Sequence, residues 1–219
     1  MKPAQTNSLQ KLNKKGLFIA LTAMLLVAPK LFAQDITIHD VRLTGTGCSN
    51  ASASAISTAD GRILSVLFDN YAVEIGQGSS NPQSTILQKD CRILIDIEVT
   101  PGYQYALEST EYRGFSALPA NAYGMHRFTQ IIPGAPIVSV KEALLAGPMN
   151  QNYSVIQRQK PGRYVYSPCA QSRQTLEIMS QLQVGYKPKT SGRDIATINL
   201  DSVDTGVNSK FNLIWQRCH

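Results

Sequence analysis

Apolar and polar residues alternate one by one in segment after segment of this chain, and this period of two limits its fold more than any other feature. In Cys91–Val99 the odd-numbered residues are apolar, whereas the even-numbered ones include Arg92, Asp96 and Glu98. Successive strand side chains point to opposite faces, so this segment predicts a half-buried strand. Similar alternation occurs in segments 35–44, 62–68, 71–75, 103–109, 176–184 and 210–217. We therefore expect about ten strands in an all-β, antiparallel β-sandwich.

Turn residues between these segments suggest how neighbouring strands pair. A loop over 100–102 with Gly102 left-handed would place Ile97 opposite Tyr105 and keep one shared face apolar. We therefore predict a hairpin between Cys91–Val99 and Tyr103–Ser109. The Asp-Gly pair at 60–61 predicts a second hairpin turn, because this pair favours tight turns.

One segment, 139–146, carries helical signals inside this β-rich chain. Ser139 followed by Glu142 matches a capping box, and Gly147 with Pro148 would end a helix. Isolated helices this short are marginal without packing. A short helix and a strand both remain open here.

The first 33 residues predict a signal peptide. Residues 1–15 contain four lysines and no acid, and Leu17–Ala28 is apolar. Ala33 is a small residue before an expected cut at Gln34. A retained membrane anchor is the alternative, although an apolar run this short falls below the roughly 20 residues of a spanning helix. We expect residues 34–219 to form a single secreted β-sandwich domain without a membrane span.

Removal of residues 1–33 changes the charge of the chain. Five lysines leave with them, so Lys plus Arg falls from 21 to 16 against 15 Asp plus Glu. The formal net charge therefore falls from +6 to +1. The mature chain has no basic run, so nucleic acid is not an expected partner.

The chain contains four cysteines, Cys48, Cys91, Cys169 and Cys218, and all of them follow the expected cut. An even number in an exported protein indicates two disulfides. Three pairings are possible. We expect Cys48–Cys91 and Cys169–Cys218, because each bond would join chain neighbours and staple one half of the molecule.

Patterns that indicate catalysis or metal binding are scarce. The histidines are isolated, and no known nucleophile, phosphate-loop or metalloprotease motif is present, so we expect no cofactor and no metal site. Asp96 and Glu98 share one strand face about 7 Å apart, a separation compatible with an inverting glycosidase. A solvated outer face predicts the same residues. This pair supports only the alternative function, a secreted hydrolase acting on glycans.

Aromatic residues next to arginines could instead form a binding surface. Tyr112 and Arg113 lie in EYRGF, and Tyr123 and Arg127 lie in AYGMHRF. Such side chains stack on sugar rings, although aromatic strand residues also pack into cores. We take these four residues as candidate ligand-binding residues.

Several motifs occur in an order that resembles a known family. These are GTGC at Gly45–Cys48, CRILIDIEVTPGYQYAL from Cys91, YSPC ending at Cys169 and the closing WQRC. They are similar to the secreted family described as domain of unknown function 4360, and the cysteines fall at the family's cysteine positions. The resemblance implies an extracellular β-rich domain, but no activity or catalytic residue to carry over. The family continues in strands over 120–159, which favours a strand at 139–146.

We therefore expect a secreted, non-catalytic protein that binds a surface glycan or a protein at the cell surface, in the periplasm or in the extracellular space. A purely structural surface component is a third possibility.

Overall fold

The computed structural model describes residues 36–49, 53–134, 139–169, 171–188, 194–200 and 209–219. The predicted signal peptide lies outside these ranges. Within them, every helix or strand element is a β-strand. The strands are β1 (Ile36–Thr44), β2 (Ala53–Ser57), β3 (Ile63–Phe68), β4 (Ala72–Ile75), β5 (Ile86–Val99), β6 (Tyr103–Leu118), β7 (Ala122–Ile131), β8 (Ser139–Ala146), β9 (Met149–Arg158), β10 (Arg173–Tyr186), β11 (Ala196–Asn199) and β12 (Ser209–Arg217).

The strands form two antiparallel sheets. The five-stranded sheet has the order β1-β5-β10-β7-β8, and the seven-stranded sheet has the order β2-β3-β12-β6-β11-β4, with β9 also paired to β6. Their inward side chains form one apolar core, to which β5 contributes Ile93, Ile95 and Ile97 and β12 contributes Phe211. Burial of each such side chain stabilises the fold by about 1.5–3 kcal/mol. The predicted all-β sandwich is confirmed.

The predicted hairpin between β5 and β6 is wrong. Gly102 has the expected positive φ of 81°, but the turn leads from one sheet to the other. Both edges of β5 are occupied, by β1 and β10. The apolar rows of β5 and β6 therefore lie on opposite sides of the core, an arrangement that the alternation permits equally well. The second hairpin turn is confirmed, because β2 and β3 pair antiparallel on either side of Gly61.

The short helix considered for 139–146 is also wrong, because this segment is strand β8. Its residues pair with β7 from Ser139 opposite Gln130 to Ala146 opposite Tyr123. An eight-residue helix would have few internal hydrogen bonds, whereas the ladder satisfies backbone groups of both strands.

Both predicted disulfides are present. Cys48 bonds to Cys91, and Cys169 bonds to Cys218. Cys91 is buried on β5, so the first bond ties the segment after β1 to the core of the five-stranded sheet. The second bond joins the chain end after β12 to the segment before β10.

A layer of polar side chains lies between the sheets. The Nε2 atom of His126 is 3.0 Å from the hydroxyl of Ser180, and the His126 ring packs edge-on against Tyr112. His126 Nδ1 has no hydrogen-bond partner among the described residues. Burial lowers the pKa of His126 to about 3, because a charged imidazolium would lose its hydration here. His126 is therefore neutral at ordinary pH.

Candidate binding groove on the five-stranded sheet

Tyr112, one of the four candidate ligand-binding residues, lies in the core. It is 1% exposed, and its ring centroid is 3.9 Å from that of Phe128. Its hydroxyl accepts a hydrogen bond from the amide of Gln130 at 3.2 Å. Tyr112 therefore packs the sandwich, and its assignment to a binding surface is corrected. Burial raises the pKa of this phenol, so the group is un-ionised.

The other three candidates lie on two different sheets. Arg113 is half-buried on β6 in the seven-stranded sheet and donates from Nε to Glu111 at 2.8 Å. Tyr123 and Arg127 both lie on β7, an even number of residues apart, and so share one sheet face. The structure therefore brings together only Tyr123 and Arg127 of the four.

Arg127 borders a groove of about 640 Å³ on the outer face of the five-stranded sheet. Every strand of this sheet, or the turn that follows it, contributes residues. One row across the sheet consists of Thr44, Arg92, Met179, Thr129 and Val140, and the next of Asp90, Gln181, Arg127 and Glu142. At a strand spacing of about 4.8 Å, a row across five strands is about 19 Å long. We call this surface the arginine groove.

Apolar side chains lie in the arginine groove between the charged groups. Met179 on β10 is 39% exposed and Val140 on β8 is 59% exposed. Farther along the same face, the phenol end of Tyr123 lies over the backbone of its pairing partner Gly185. A Cβ atom at Gly185 would collide with this phenol. The face thus combines exposed apolar surface with fixed polar groups.

The arginines of the groove are held in place by carboxylates. Arg92 donates from Nε and Nη2 to the two oxygens of Glu177, at 2.6 and 3.0 Å. Arg127 donates from the same two nitrogens to Glu142, at 2.9 and 2.6 Å. These hydrogen bonds use Nε and Nη2, so the Nη1 atom of each arginine is not engaged by its carboxylate and can donate to a ligand. Because each arginine charge is compensated, the groove does not present excess positive charge.

One side of the groove is lined by Gly45, Asp90 and Cys91, where the chain after β1 meets β5. A Cβ atom at Gly45 would overlap the carbonyl oxygen of Asp90, so only glycine allows this close backbone approach. The amide of Gly47 donates to the same Asp90 carbonyl at 2.9 Å. Cys48 then bonds to Cys91. The GTGC motif is therefore held against Asp90 and Cys91, which line the groove.

Both carboxylates of the acidic pair considered for catalysis already have a side-chain partner. Asp96 accepts hydrogen bonds from Arg173, the shortest at 2.8 Å, and these bonds lower the pKa of Asp96. Glu98 lies 2.8 Å from the Nε2 atom of His39. A glycosidase acid requires a raised pKa, so Asp96 is unsuited to that role.

Sequence reasoning identified Arg127 but missed the residues that complete the groove. Alternation placed Arg92 and Gln181 on outward strand faces. It gave no indication that β5, β10 and β7 are neighbours, because that order depends on long-range pairing. Met179 was missed because no sequence pattern distinguishes a single apolar residue on a polar strand face as part of a binding surface.

No group of three or more His, Cys, Asp or Glu side chains that could hold a metal ion is found among the described residues. The same part of the chain contains no helix long and apolar enough to cross a membrane.

Comparison with known proteins gives a family match and one curated relative. A family model described as "Domain of unknown function (DUF4360)" matches residues 34–218. An "Uncharacterized secreted protein" from Arthroderma benhamiae (strain ATCC MYA-4681 / CBS 112371) is 27% identical over 183 residues, which are 83% of this chain and 72% of that protein. Like this relative, the protein is secreted, and its disulfides fit an oxidising compartment.

Solved structures give weaker matches. A structure of the infectious bursal disease virus Gx strain has a TM-score of 0.28 at 8% identity; the match covers 88% of this chain and 42% of the viral chain, less than half its length. A family 11 carbohydrate-binding module from Clostridium thermocellum has a TM-score of 0.24 at 7% identity, covering 84% of this chain and 91% of the module. Likeness at these TM-scores carries no argument about ligand or activity.

Proposed function

The chain belongs to the DUF4360 family, and we propose that it is a non-catalytic binding module that takes a neutral polysaccharide in the arginine groove. The observation that carries the proposal is the make-up of this groove. Two guanidinium groups are immobilised by carboxylates beside the exposed side chain of Met179. The volume of the arginine groove lies within the usual range for ligand sites.

The compensated charges support a neutral ligand. A carboxylated or phosphorylated chain would meet Asp90, Glu142 and Glu177 together with the two arginines. Sugar hydroxyls can accept from each free Nη1 and donate to the carboxylates at the same time. The aliphatic faces of sugar rings can contact Met179 and Val140. The arginines are already fixed, so binding costs little side-chain entropy.

The test measures retention of the secreted protein on insoluble neutral polysaccharides, such as cellulose, mixed-linked glucan, mannan and chitin. Substitution of both arginines, Arg92→Gln with Arg127→Gln, should weaken binding at least about tenfold, the usual cost of one or two lost hydrogen bonds to charged groups. Arg173→Gln is the matched control, since Arg173 has the same type of ion pair on the same sheet but does not border the groove.

Two results would contradict the proposal. One is equal retention of wild-type and double-variant protein on every polymer that binds. The other is release of reducing sugars that Glu98→Gln abolishes, which would support the alternative hydrolase.

A further inference from the structure

We infer that Tyr123 is a stacking subsite at the end of a track along β7, and that this track selects an extended, equatorially linked polysaccharide. The inference rests on the proposed function, because it continues the arginine groove along the sheet. Arg127 and Thr129 line that groove. Tyr123 and Met125 share their face, since strand residues two apart point the same way. We call this outward row of four residues the β7 track, and at about 3.3 Å per residue it is about 20 Å long.

The β7 track has a low floor and raised sides. Met125 and Thr129 point outward, yet they are only 8% and 7% exposed. Their partners on β8, Leu144 and Val140, are 74% and 59% exposed. On the other side, Met179 of β10 pairs with Thr129 and is 39% exposed. A linear molecule can therefore lie lengthwise over β7, between the side chains of β8 and β10.

The ring of Tyr123 lies flat on the sheet at one end of the track. A Cβ atom on Gly185 would lie 2.7 Å from both Cζ and Oη of Tyr123 and 2.9 Å from Cε1. These nearly equal distances place the Cβ position below the face of the ring, because an edge-on ring would bring Oη closer than Cζ. Gly185 thus leaves the space that the ring fills, and the opposite ring face points away from the sheet.

The outer face of this ring is available to a ligand. Tyr123 is half-buried, although one side of its ring rests on Gly185. No other aromatic ring among the described residues contacts it. Ile86, the partner of Gly185 on β5, is 52% exposed and extends the apolar surface. Such a surface is a good platform for the apolar face of a sugar ring.

This end of the track has no charged side chain in its two outward rows. These rows consist of Leu144, Met125, Gln183 and Gln88, and of Ala146, Tyr123, Gly185 and Ile86. Side-chain amides both donate and accept hydrogen bonds, as sugar hydroxyls do. A neutral sugar, with hydroxyls around its edge and C–H bonds on its faces, matches amides beside a flat apolar surface.

The flat ring also determines how the polysaccharide must run. A pyranose stacked on Tyr123 lies parallel to the sheet, so its neighbour stays on the track only if the linkage bonds lie near the plane of the sugar ring. Equatorial bonds do so, whereas an axial bond turns the chain away from the sheet. Tyr123 and Arg127 are about 13 Å apart along β7. An equatorially linked chain can therefore contact both residues at once.

Calorimetric titration of the secreted protein with hexasaccharides tests the inference. The equatorially linked probes are cello-, manno-, xylo- and chitohexaose, and maltohexaose is the axially linked comparison. For the equatorial probe that binds most tightly, Tyr123→Ala should weaken binding about tenfold. Tyr123→Phe is the matched control: it keeps the ring and should stay within about threefold of the wild type. Maltohexaose should bind the wild type at least about tenfold more weakly and should not respond to Tyr123→Ala.

The outcomes separate this subsite from the groove itself. The inference is overturned if Tyr123→Ala binds like the wild type while Arg92→Gln with Arg127→Gln weakens binding, a result that leaves the proposed function intact. It is also overturned if Tyr123→Phe loses as much affinity as Tyr123→Ala, because the ring face would then not be the contact. Equal affinity for maltohexaose would contradict the selection of equatorial linkages. If no hexasaccharide binds the wild type, the proposed function and this inference both fail.

Discussion

The arginine groove on the five-stranded sheet differs in its charge pairing from the side of the seven-stranded sheet that carries residues 60–63. On the five-stranded sheet, Arg92, Arg127 and Arg173 are each paired with a carboxylate. On the seven-stranded sheet Arg113 is paired with Glu111, but Arg62 and Glu108 form no ion pair among the described residues. The guanidinium groups of the first face are therefore held by carboxylates, whereas Arg62 and Glu108 on the second are not held by an ion pair with a described residue.

The largest difference between the two halves should appear when each disulfide is removed. The bonds close loops of similar length, with sequence separations of 43 and 49, so loop entropy predicts about 4 kcal/mol for each. Cys91 is buried, whereas Cys169 is exposed. We expect Cys48→Ala with Cys91→Ala to lower the free energy of unfolding more than Cys169→Ala with Cys218→Ala, as measured by urea denaturation. Equal losses would show that burial adds nothing to loop closure.

The next largest effect is the pH dependence of stability that His126 causes in the polar layer between the two sheets. The pKa of His126 is about 3 in the folded protein and about 6.5 in the unfolded chain. The unfolded state therefore binds a proton first as the pH falls. The stability that His126 contributes is complete above pH 6.5 and is lost progressively toward pH 3. We expect the free energy of unfolding to fall by about 1.4 kcal/mol per pH unit between pH 6 and 4.5.

Urea denaturation at a series of pH values measures this slope, with His126→Phe as the comparison. This variant keeps an aromatic ring between the sheets but cannot be protonated, and it loses the hydrogen bond to Ser180. Its stability will be lower at neutral pH, so the slope is the informative quantity. An unchanged slope in His126→Phe would assign the acid sensitivity to other groups.

The smallest effects should come from the surface charges that distinguish the two faces. Glu177→Gln leaves Arg92 without its partner, and Glu108→Gln removes a carboxylate that has no partner among the described residues. Both sites are at the surface, so we expect losses of at most about 1 kcal/mol for Glu177→Gln and about 0.5 kcal/mol for Glu108→Gln. Thermal unfolding checks these values. A large loss from Glu177→Gln would mean that this ion pair holds the fold rather than the groove.

The sequence predicted what depends on local pattern. Alternation identified the strands around Cys91–Val99 and 176–184 and the sides on which their polar residues lie. The cysteine count and order predicted both bonds. The turn at Gly102 was predicted correctly, but β5 and β6 do not pair as a hairpin. The apolar row of a strand can be buried next to the following strand in the same sheet or opposite it in the other sheet. Only tertiary pairing decides between the two arrangements.

The candidate site was predicted in part for the same reason. Arg127 and Tyr123 were named for their residue types, and only strand β7 shows that they share one sheet face. Arg92 and Met179 joined Arg127 through the order β5-β10-β7, which brings together strands far apart in the chain. Tyr112 has the same aromatic character as Tyr123 but points inward, and local sequence did not separate the two.

The proposal that this secreted sandwich binds neutral glycans without cleaving them is tested most directly by amide chemical-shift mapping. The isotope-labelled secreted protein is titrated with a soluble oligosaccharide from the polymer that retains it most strongly, and ligand integrity is followed in the same sample. We predict shifts at Arg92, Met179 and Arg127 on the five-stranded sheet, with the oligosaccharide intact at the end. Shifts absent from these strands, or a ligand that is progressively shortened, would contradict the account.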